Sequence, residues 1–351
     1  MGFQRRDVLI GGVASAATAT LAFIDLAKAA GDPEVKKLVL GFGIDPPFAI
    51  HITAIEKGWF REAGFTDVTV KSFTSGNLAG EALVAGDIQL WTPGNLPAIA
   101  LFHNGIPIVV LGTDSVNHAD DKLVVRKDAM VKAPEDLYRL KIGLLAGSTA
   151  SDDLHQLALH YKLDEKRLQI VNLAPPEQLA ALRTGEVQAF LAWEPWPYRA
   201  LQEGIATVIC TGTTSQFEAD KGQRVKISDN RSIWVASQEF VKRNPNTTSA
   251  MVRVLLRAQR YVADPKNRDE VIQSFSSFQK EELGMNRAFW DDFIFDGTID
   301  QSYIADMENT AAYLLSTGRI KRHVDVLDYT FTTPIEEFDP ALVKVKGRWK
   351  P

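Results

Sequence analysis

Cysteine is almost missing from this chain. Its 351 residues hold one, Cys210, which excludes an internal disulfide and any cysteine-rich zinc site. Cys210 also lies too far along the chain to carry a lipid behind a leader. It ends the apolar run Thr207-Val208-Ile209-Cys210, the setting of a buried structural thiol and not of a reactive one. Histidine is scarce as well. His51, His103, His118, His155, His160 and His323 show no metal-ligand spacing, and His155 and His160, five apart on a helix, face different directions. There is no phosphate-binding P-loop, no G-x-S-x-G elbow and no G-x-G-x-x-G between a strand and a helix, so no cofactor and no metal is expected. A large charge of one sign is lacking too. With 39 Lys and Arg against 44 Asp and Glu the net charge is −5, which argues against nucleic acid as a partner. Beyond the N-terminus no run approaches the roughly 20 apolar residues that a membrane span needs.

The first residues carry an address. Arg5 and Arg6 precede a weakly apolar run from Gly11 to Ile24, and Ala27-Lys28-Ala29 supplies small residues at a cleavage site. A basic start, a short apolar stretch and an A-x-A site make a secretory signal. Asp25 interrupts the run, and the arginine pair points to the twin-arginine route. The expectation is a periplasmic protein cleaved near Ala29, with no membrane insertion of the mature chain. What remains is longer than one core of about 100–200 residues usually supports, so two domains are expected.

From Lys37 onward short apolar runs alternate with helical patterns. Strands are expected at Lys37 to Phe42, Asp67 to Phe73, Ile88 to Thr92 and Pro107 to Thr113, with helices of about ten residues between them. The rhythm then restarts, with strands at Leu123 to Val125, Lys141 to Leu145, Leu168 to Asn172, Ala189 to Ala192 and Ala206 to Cys210, and a helix at Pro134 to Leu140. This alternation implies α/β units with mostly parallel sheets. After a further strand at Ser232 to Ser237, amphipathic helices run from Thr247 to Ala263 and from Tyr303 to Ser316. A helical tail returning after two α/β units implies that the chain crosses between lobes near 116–122 and again near 212–230. Such a double crossing makes a hinge, and the cleft beside it is a natural ligand site. The expected division is a signal peptide at 1–29, one lobe from 30–118 and 228–351, and a second lobe from 119–227.

The order of motifs resembles the solute-binding proteins of ABC importers for taurine, alkanesulfonates and nitrate. The first lobe carries Ala54-Ile55-Glu56-Lys57-Gly58-Trp59-Phe60, Thr74-Ser75-Gly76-Asn77, Glu81 to Ile88 (EALVAGDI) and Gly94-Asn95-Leu96-Pro97-Ala98. The second carries Lys141 to Ser151 (KIGLLAGSTAS), Gln169 to Pro176 (QIVNLAPP) and Gly185 to Phe190 leading into Trp193-Glu194-Pro195-Trp196. The resemblance covers nearly all of the expected mature chain. It implies a two-lobed periplasmic-binding fold of type II. It also implies high-affinity capture of a small organic anion or zwitterion, and delivery by a monomer to an ABC permease in the inner membrane.

The best local signal for a site is Gly147-Ser148-Thr149-Ala150-Ser151 between a strand and a helix, where free N–H groups and the helix dipole favour an anion. A capping role for Ser148 or Thr149 is the plain alternative. Asp152 and Asp153 follow in the first helical turn, where inward carboxylates would repel an anion; outward ones are expected. Ser75, Gly76, Asn77, Gly94 and Asn95 occupy matching loops of the first lobe, and the resemblance makes them ligand contacts; ordinary turn chemistry would use the same residues. Asp45 and Phe48 lie in the remaining loop at that rim. Trp193 resembles a pocket wall, with Trp196 less so. Glu194 and Asp45 would suit an amine on the ligand, or else are solvated rim acids. Asn230 matches a polar contact position of the family. Enzymes resembling desulfinases or pyrimidine synthases share the fold but rely on reactive cleft residues, and Cys210 lies in a strand outside the cleft loops. A protein that delivers its ligand to a sensor would use the same cleft.

Overall fold

The computed structural model describes residues 31–221 and 223–351. The expected leader, with Arg5, Arg6 and the cleavage point at Ala29, lies outside the described residues. Each half of the fold is a sheet flanked by helices. One sheet holds β1 (Lys37–Phe42), β2 (Asp67–Ser72), β3 (Leu90–Trp91) and β4 (Ile108–Asn117). The other holds β5 (Lys122–Arg126), β6 (Lys141–Leu144), β7 (Gln169–Asn172), β8 (Ala189–Ala192) and β9 (Ala206–Thr211). The strands β10 (Asn230–Ser237) and β11 (Phe293–Ile294) return to the first. The orders are β2-β1-β3-β10-β4-β11 and β7-β6-β8-β5-β9.

Both sheets follow one plan. The first three strands of each run parallel, β1 against β2 and β3, and β6 against β7 and β8. Most strands in each sheet share one direction, as expected, and each sheet is mixed because a strand that arrives from the other lobe runs against the rest. β10 enters antiparallel between β3 and β4, and β5 enters antiparallel between β8 and β9. The sequence pattern reads the runs but not their direction, which depends on the connection.

Strand composition explains the burial. In the second sheet Leu123, Val125, Ala189 and Leu191 pack on one face, while Val124, Phe190 and Ala192 pack on the other. Side chains alternate across a strand, so runs that are apolar at every position suit a sheet covered on both faces. Each fully buried Leu, Val or Phe contributes roughly 1.5–3 kcal/mol. β4 is buried along nearly its whole length.

The chain passes between the sheets at residues 118–121 and 212–229. Gly212 lies where these segments meet. Its carbonyl accepts from the N–H groups of Ile227 (2.7 Å) and Ser228 (3.1 Å). A Cβ there would stand 2.5 Å from the carbonyl oxygens of both His118 and Ser228, so only glycine permits this backbone contact.

The C-terminal part covers the first sheet. Helix Pro245–Ala263 turns Met251, Val252, Leu255 and Leu256 inward. Asp300 caps helix Gln301–Ser316 by accepting from the N–H groups of Ser302 and Tyr303. Two helices that the sequence pattern does not reveal, Arg268–Gln279 and Leu283–Phe289, lie between these. Met285, Phe289 and Phe293 form a small apolar cluster with Tyr198 of the second half and Phe295. The helix expected at Pro134 to Leu140 is a 3-10 turn, Pro134–Arg139. Among the described residues no helix is long and apolar enough to cross a membrane.

Candidate functional site

The carboxyl ends of β1, β2, β3, β6 and β8 open on one cleft between the sheets, the place where ligands gather in open α/β folds. Its empty space, mouth included, is about 790 Å³. From the first sheet it is lined by Asp45, Phe48, Ser75, Gly76, Asn77 and Gly94. From the second come Ser148, Thr149, Trp193 and Trp196, and Asn230 joins from the start of β10. The two walls meet at Gly94 and Thr149, where a Cβ on Gly94 would lie 2.5 Å from the Thr149 methyl carbon.

Three of the expected residues do not line the cleft. Asn95 is fully buried behind it and donates from Nδ2 to Thr310 Oγ1 at 3.0 Å. Ala150 is buried in the core of the second sheet. Glu194 faces away from the cleft, because Lys122 Nζ reaches it at 2.5 Å and ties it to Asp292 at 2.6 Å. Its other oxygen accepts from the backbone N–H of Tyr198. Burial raises the Glu194 carboxyl, and Lys122 opposes that rise. It is neither a rim acid nor an available partner for an amine.

The start of helix Thr149–His160 also differs from expectation. Asp152 and Asp153 point inward and are buried. Asp152 accepts from Thr310 Oγ1 at 2.6 Å and from Gln156, and this bond ties the two halves together. Asn230 Nδ2 donates to Asp121 at 2.8 Å and lies 3.4 Å from Asp153. Ser148 Oγ caps nothing and donates back to the Leu145 carbonyl at 2.8 Å. Buried polar side chains seek partners, and here the partners lie across the lobe boundary, which a reading of the local helix does not see. The Ser148 hydroxyl proton is therefore engaged, and an anion at this helix start would rest on backbone N–H groups and the Thr149 hydroxyl.

Sequence reasoning missed several lining residues, among them Phe42, Phe73, Trp91, Asn117, Asp120 and Ser232. Asn117 accepts from Ser115 at 2.6 Å and donates to Ser232 at 3.0 Å, a polar floor where β4 and β10 pair. Asp120 is 2% exposed and its Oδ1 has no partner. Burial and the Asp45, Asp153 and Asp292 charges push its carboxyl well up. Burial pushes Asp45, 8% exposed, up to about 7. The available signal was the doublet Asp120-Asp121 inside the expected crossing segment. Among the described residues no Lys or Arg lines the cleft.

Residues 31–276 match the family model described as the NMT1-like family. The chain belongs to that family. Its relatives include the taurine-binding periplasmic protein of Escherichia coli K12, 27% identical over 206 residues covering 58% of this chain. The nitrate/nitrite binding protein NrtA of Synechococcus elongatus is 26% identical over 271 residues, 69% of this chain. The chain spans 60% and 58% of the lengths of these two relatives. Among solved structures, the alkanesulfonate-binding protein SsuA from Xanthomonas axonopodis pv. citri, bound to MOPS, superposes with a TM-score of 0.71 at 16% identity, over 86% of this chain and 99% of that one. NrtA from Synechocystis PCC 6803 gives 0.73 at 19% identity, over 89% and 90%. This NMT1-like chain thus has the two-lobed fold of periplasmic binding proteins. The desulfurization enzyme DSZB shares it too, with a TM-score of 0.61 at 17% identity over 86% and 99%. Cys210, the sole thiol, is buried outside the cleft and pushed up to about 12 by burial. Among the described residues no group of three or more His, Cys, Asp or Glu is placed to hold a metal ion.

Proposed function

We propose that this chain is the solute-binding component of an ABC importer, a periplasmic protein that captures a small organic anion or zwitterion and delivers it to a membrane permease. The observation that carries the reading is the cleft itself, built from strand-end loops of both sheets that meet at Gly94 and Thr149. Two relatives of different ligand, taurine and nitrate, are binding proteins by name. The lobes would be residues 30–118 with 228–351, and 119–227, moving about the crossings at 118–121 and 212–229. An open form admits the solute and closure removes it from water. The acidic end of the solute would face the helix start at Ser148 and Thr149. Cys210 is pushed up to about 12 by burial and lies outside the cleft, so it offers the cleft no thiol nucleophile.

The test is thermal unfolding of residues 30–351 against taurine, alkanesulfonates, nitrate, bicarbonate, dicarboxylates, amines and pyrimidines. A solute at about 100 times its Kd adds roughly 2.7 kcal/mol, so at least one class is expected to raise the melting midpoint. A midpoint that no small polar solute moves would contradict solute capture.

A further inference from the structure

Among the described residues the cleft lining carries two carboxylates and no lysine or arginine; the one guanidinium nearby, Arg319, stands at the edge beside Gly147. We infer that the solute bears an ammonium or similar organic cation, and that Asp45 and Asp120 hold it against the aromatic wall of the cleft. The inference rests on the solute-capture reading above and names the chemistry of its ligand.

Three observations support it. First, Asp120 is 2% exposed with one carboxylate oxygen on no partner. An unpaired buried carboxylate is costly to leave unmatched, and it lines the cleft. Second, among the described residues that line the cleft no lysine or arginine neutralises this pair. Lys122, close by in sequence, is committed to Glu194 and Asp292. Arg231 is committed to Asp306 at 2.6 Å, with its other amino group on Ser302. Of the histidines nearby, His51 cannot serve: burial lowers it to about 3, and its Nε2 lies on Thr92 Oγ1. Asp45 instead raises its neighbour Asp120, like charge against like. Third, Phe42 and Phe48 stack at 4.9 Å behind Asp45, and Trp193 and Trp196 line the opposite wall. Aromatic faces attract a cation, and more strongly where water is removed. Gly43 leaves the space that the carboxylate uses, since a Cβ there would stand 2.9 Å from Asp45 Oδ1.

A buried carboxyl can also act when protonated, as a hydrogen-bond donor to an anion. Substitution by asparagine separates the two roles, because an amide keeps a donor and loses the charge. The experiment is titration calorimetry of residues 30–351 at pH 7.5 in matched pairs: taurine against isethionate, which has a hydroxyl in place of the amine, and choline or putrescine against ethanesulfonate and nitrate. The variants are Asp45→Asn and Asp120→Asn, each checked by its melting midpoint without ligand. That midpoint should stay at or above the parent's, since a buried charge is removed. The expected result is that amine-bearing solutes bind at least tenfold tighter than their amine-free partners, and that each variant loses tenfold or more for them. Preference for taurine marks a zwitterion, and preference for choline or putrescine a plain cation. The inference falls if isethionate, ethanesulfonate or nitrate binds as well as the amines, or if both variants bind like the parent. In either of those outcomes solute capture still stands. Absence of binding by both classes in calorimetry, with no melting shift in the wider panel, defeats the capture reading as well.

Discussion

Gly94→Ala is expected to weaken solute binding by roughly 5–150-fold in Kd, while leaving the melting midpoint of the unliganded protein almost unchanged. The reason is local. Gly94 begins the helix Asn95–His103 on one wall of the cleft, and the Thr149 methyl group faces it from the other. A new methyl at 94 would stand 2.5 Å from Thr149 Cγ2, a separation that carbon atoms do not adopt, while Thr149 Cβ and Oγ1 both lie at 3.7 Å. Overpacking of this kind costs about 1–3 kcal/mol, and every 1.4 kcal/mol is about tenfold in Kd. The cost arises only when the walls meet, so it falls on the closed, ligand-holding state and lowers its population. The second substitution Thr149→Ser removes the offending methyl and keeps the hydroxyl. The double variant should therefore recover most of the affinity. Calorimetry on the two single variants and the double variant checks this. Equal affinity in Gly94→Ala and the parent, or no recovery in the double variant, would show that these residues do not meet when solute is held.

The second large effect concerns stability. Lys122→Met should destabilise the protein by about 3–5 kcal/mol near neutral pH, the range found when one partner of a buried ion pair is removed. The Lys122 side chain is 12% exposed and Glu194 1%, so the carboxylate left behind has little access to water. Desolvation already raises the Glu194 carboxyl above its ordinary value of 4.5, and Lys122 holds that rise back. Without Lys122 the folded form binds a proton still more readily than the unfolded one. Stability then falls as pH rises through the raised value, and returns as pH drops toward 4.5. The deficit of Lys122→Met relative to the parent should therefore be largest at pH 8 and shrink on going to pH 5. Lys122→Arg, which keeps the charge, should lose much less. Urea unfolding at the two pH values measures both effects. A deficit independent of pH would mean that lost packing, and not the stranded carboxylate, is responsible.

Most of the fold was legible because strands buried on both faces read as unbroken apolar runs, as in Phe190-Leu191-Ala192 and Ile108 to Leu111. The loops at the strand ends were legible from their turn residues, and most of the residues expected there, including Ser75, Gly94 and Thr149, line the cleft. What stayed hidden depends on partners distant in sequence. Glu194 belongs to Lys122, 72 residues away, and to the same cluster as Asp292, 170 residues from that lysine. Asp152 belongs to Thr310, 158 residues on. No local pattern announces such pairs, so a glutamate flanked by tryptophans looked like a ligand contact and a helix-start aspartate looked solvated. Asp120 escaped for a related reason. It stands in a crossing segment with no periodicity, and its place on the cleft follows from how β4 and β5 leave their sheets. The direction of β5 and β10 was hidden likewise, since it is set by which lobe the chain comes from.

The central claim is that solute is held between the lobes by closure, and small-angle X-ray scattering of residues 30–351 with and without a saturating solute tests it most directly. The account predicts a smaller radius of gyration with solute and a curve that matches the arrangement in which Gly94 meets Thr149. A solute that binds one per chain and leaves the scattering curve unchanged would contradict it.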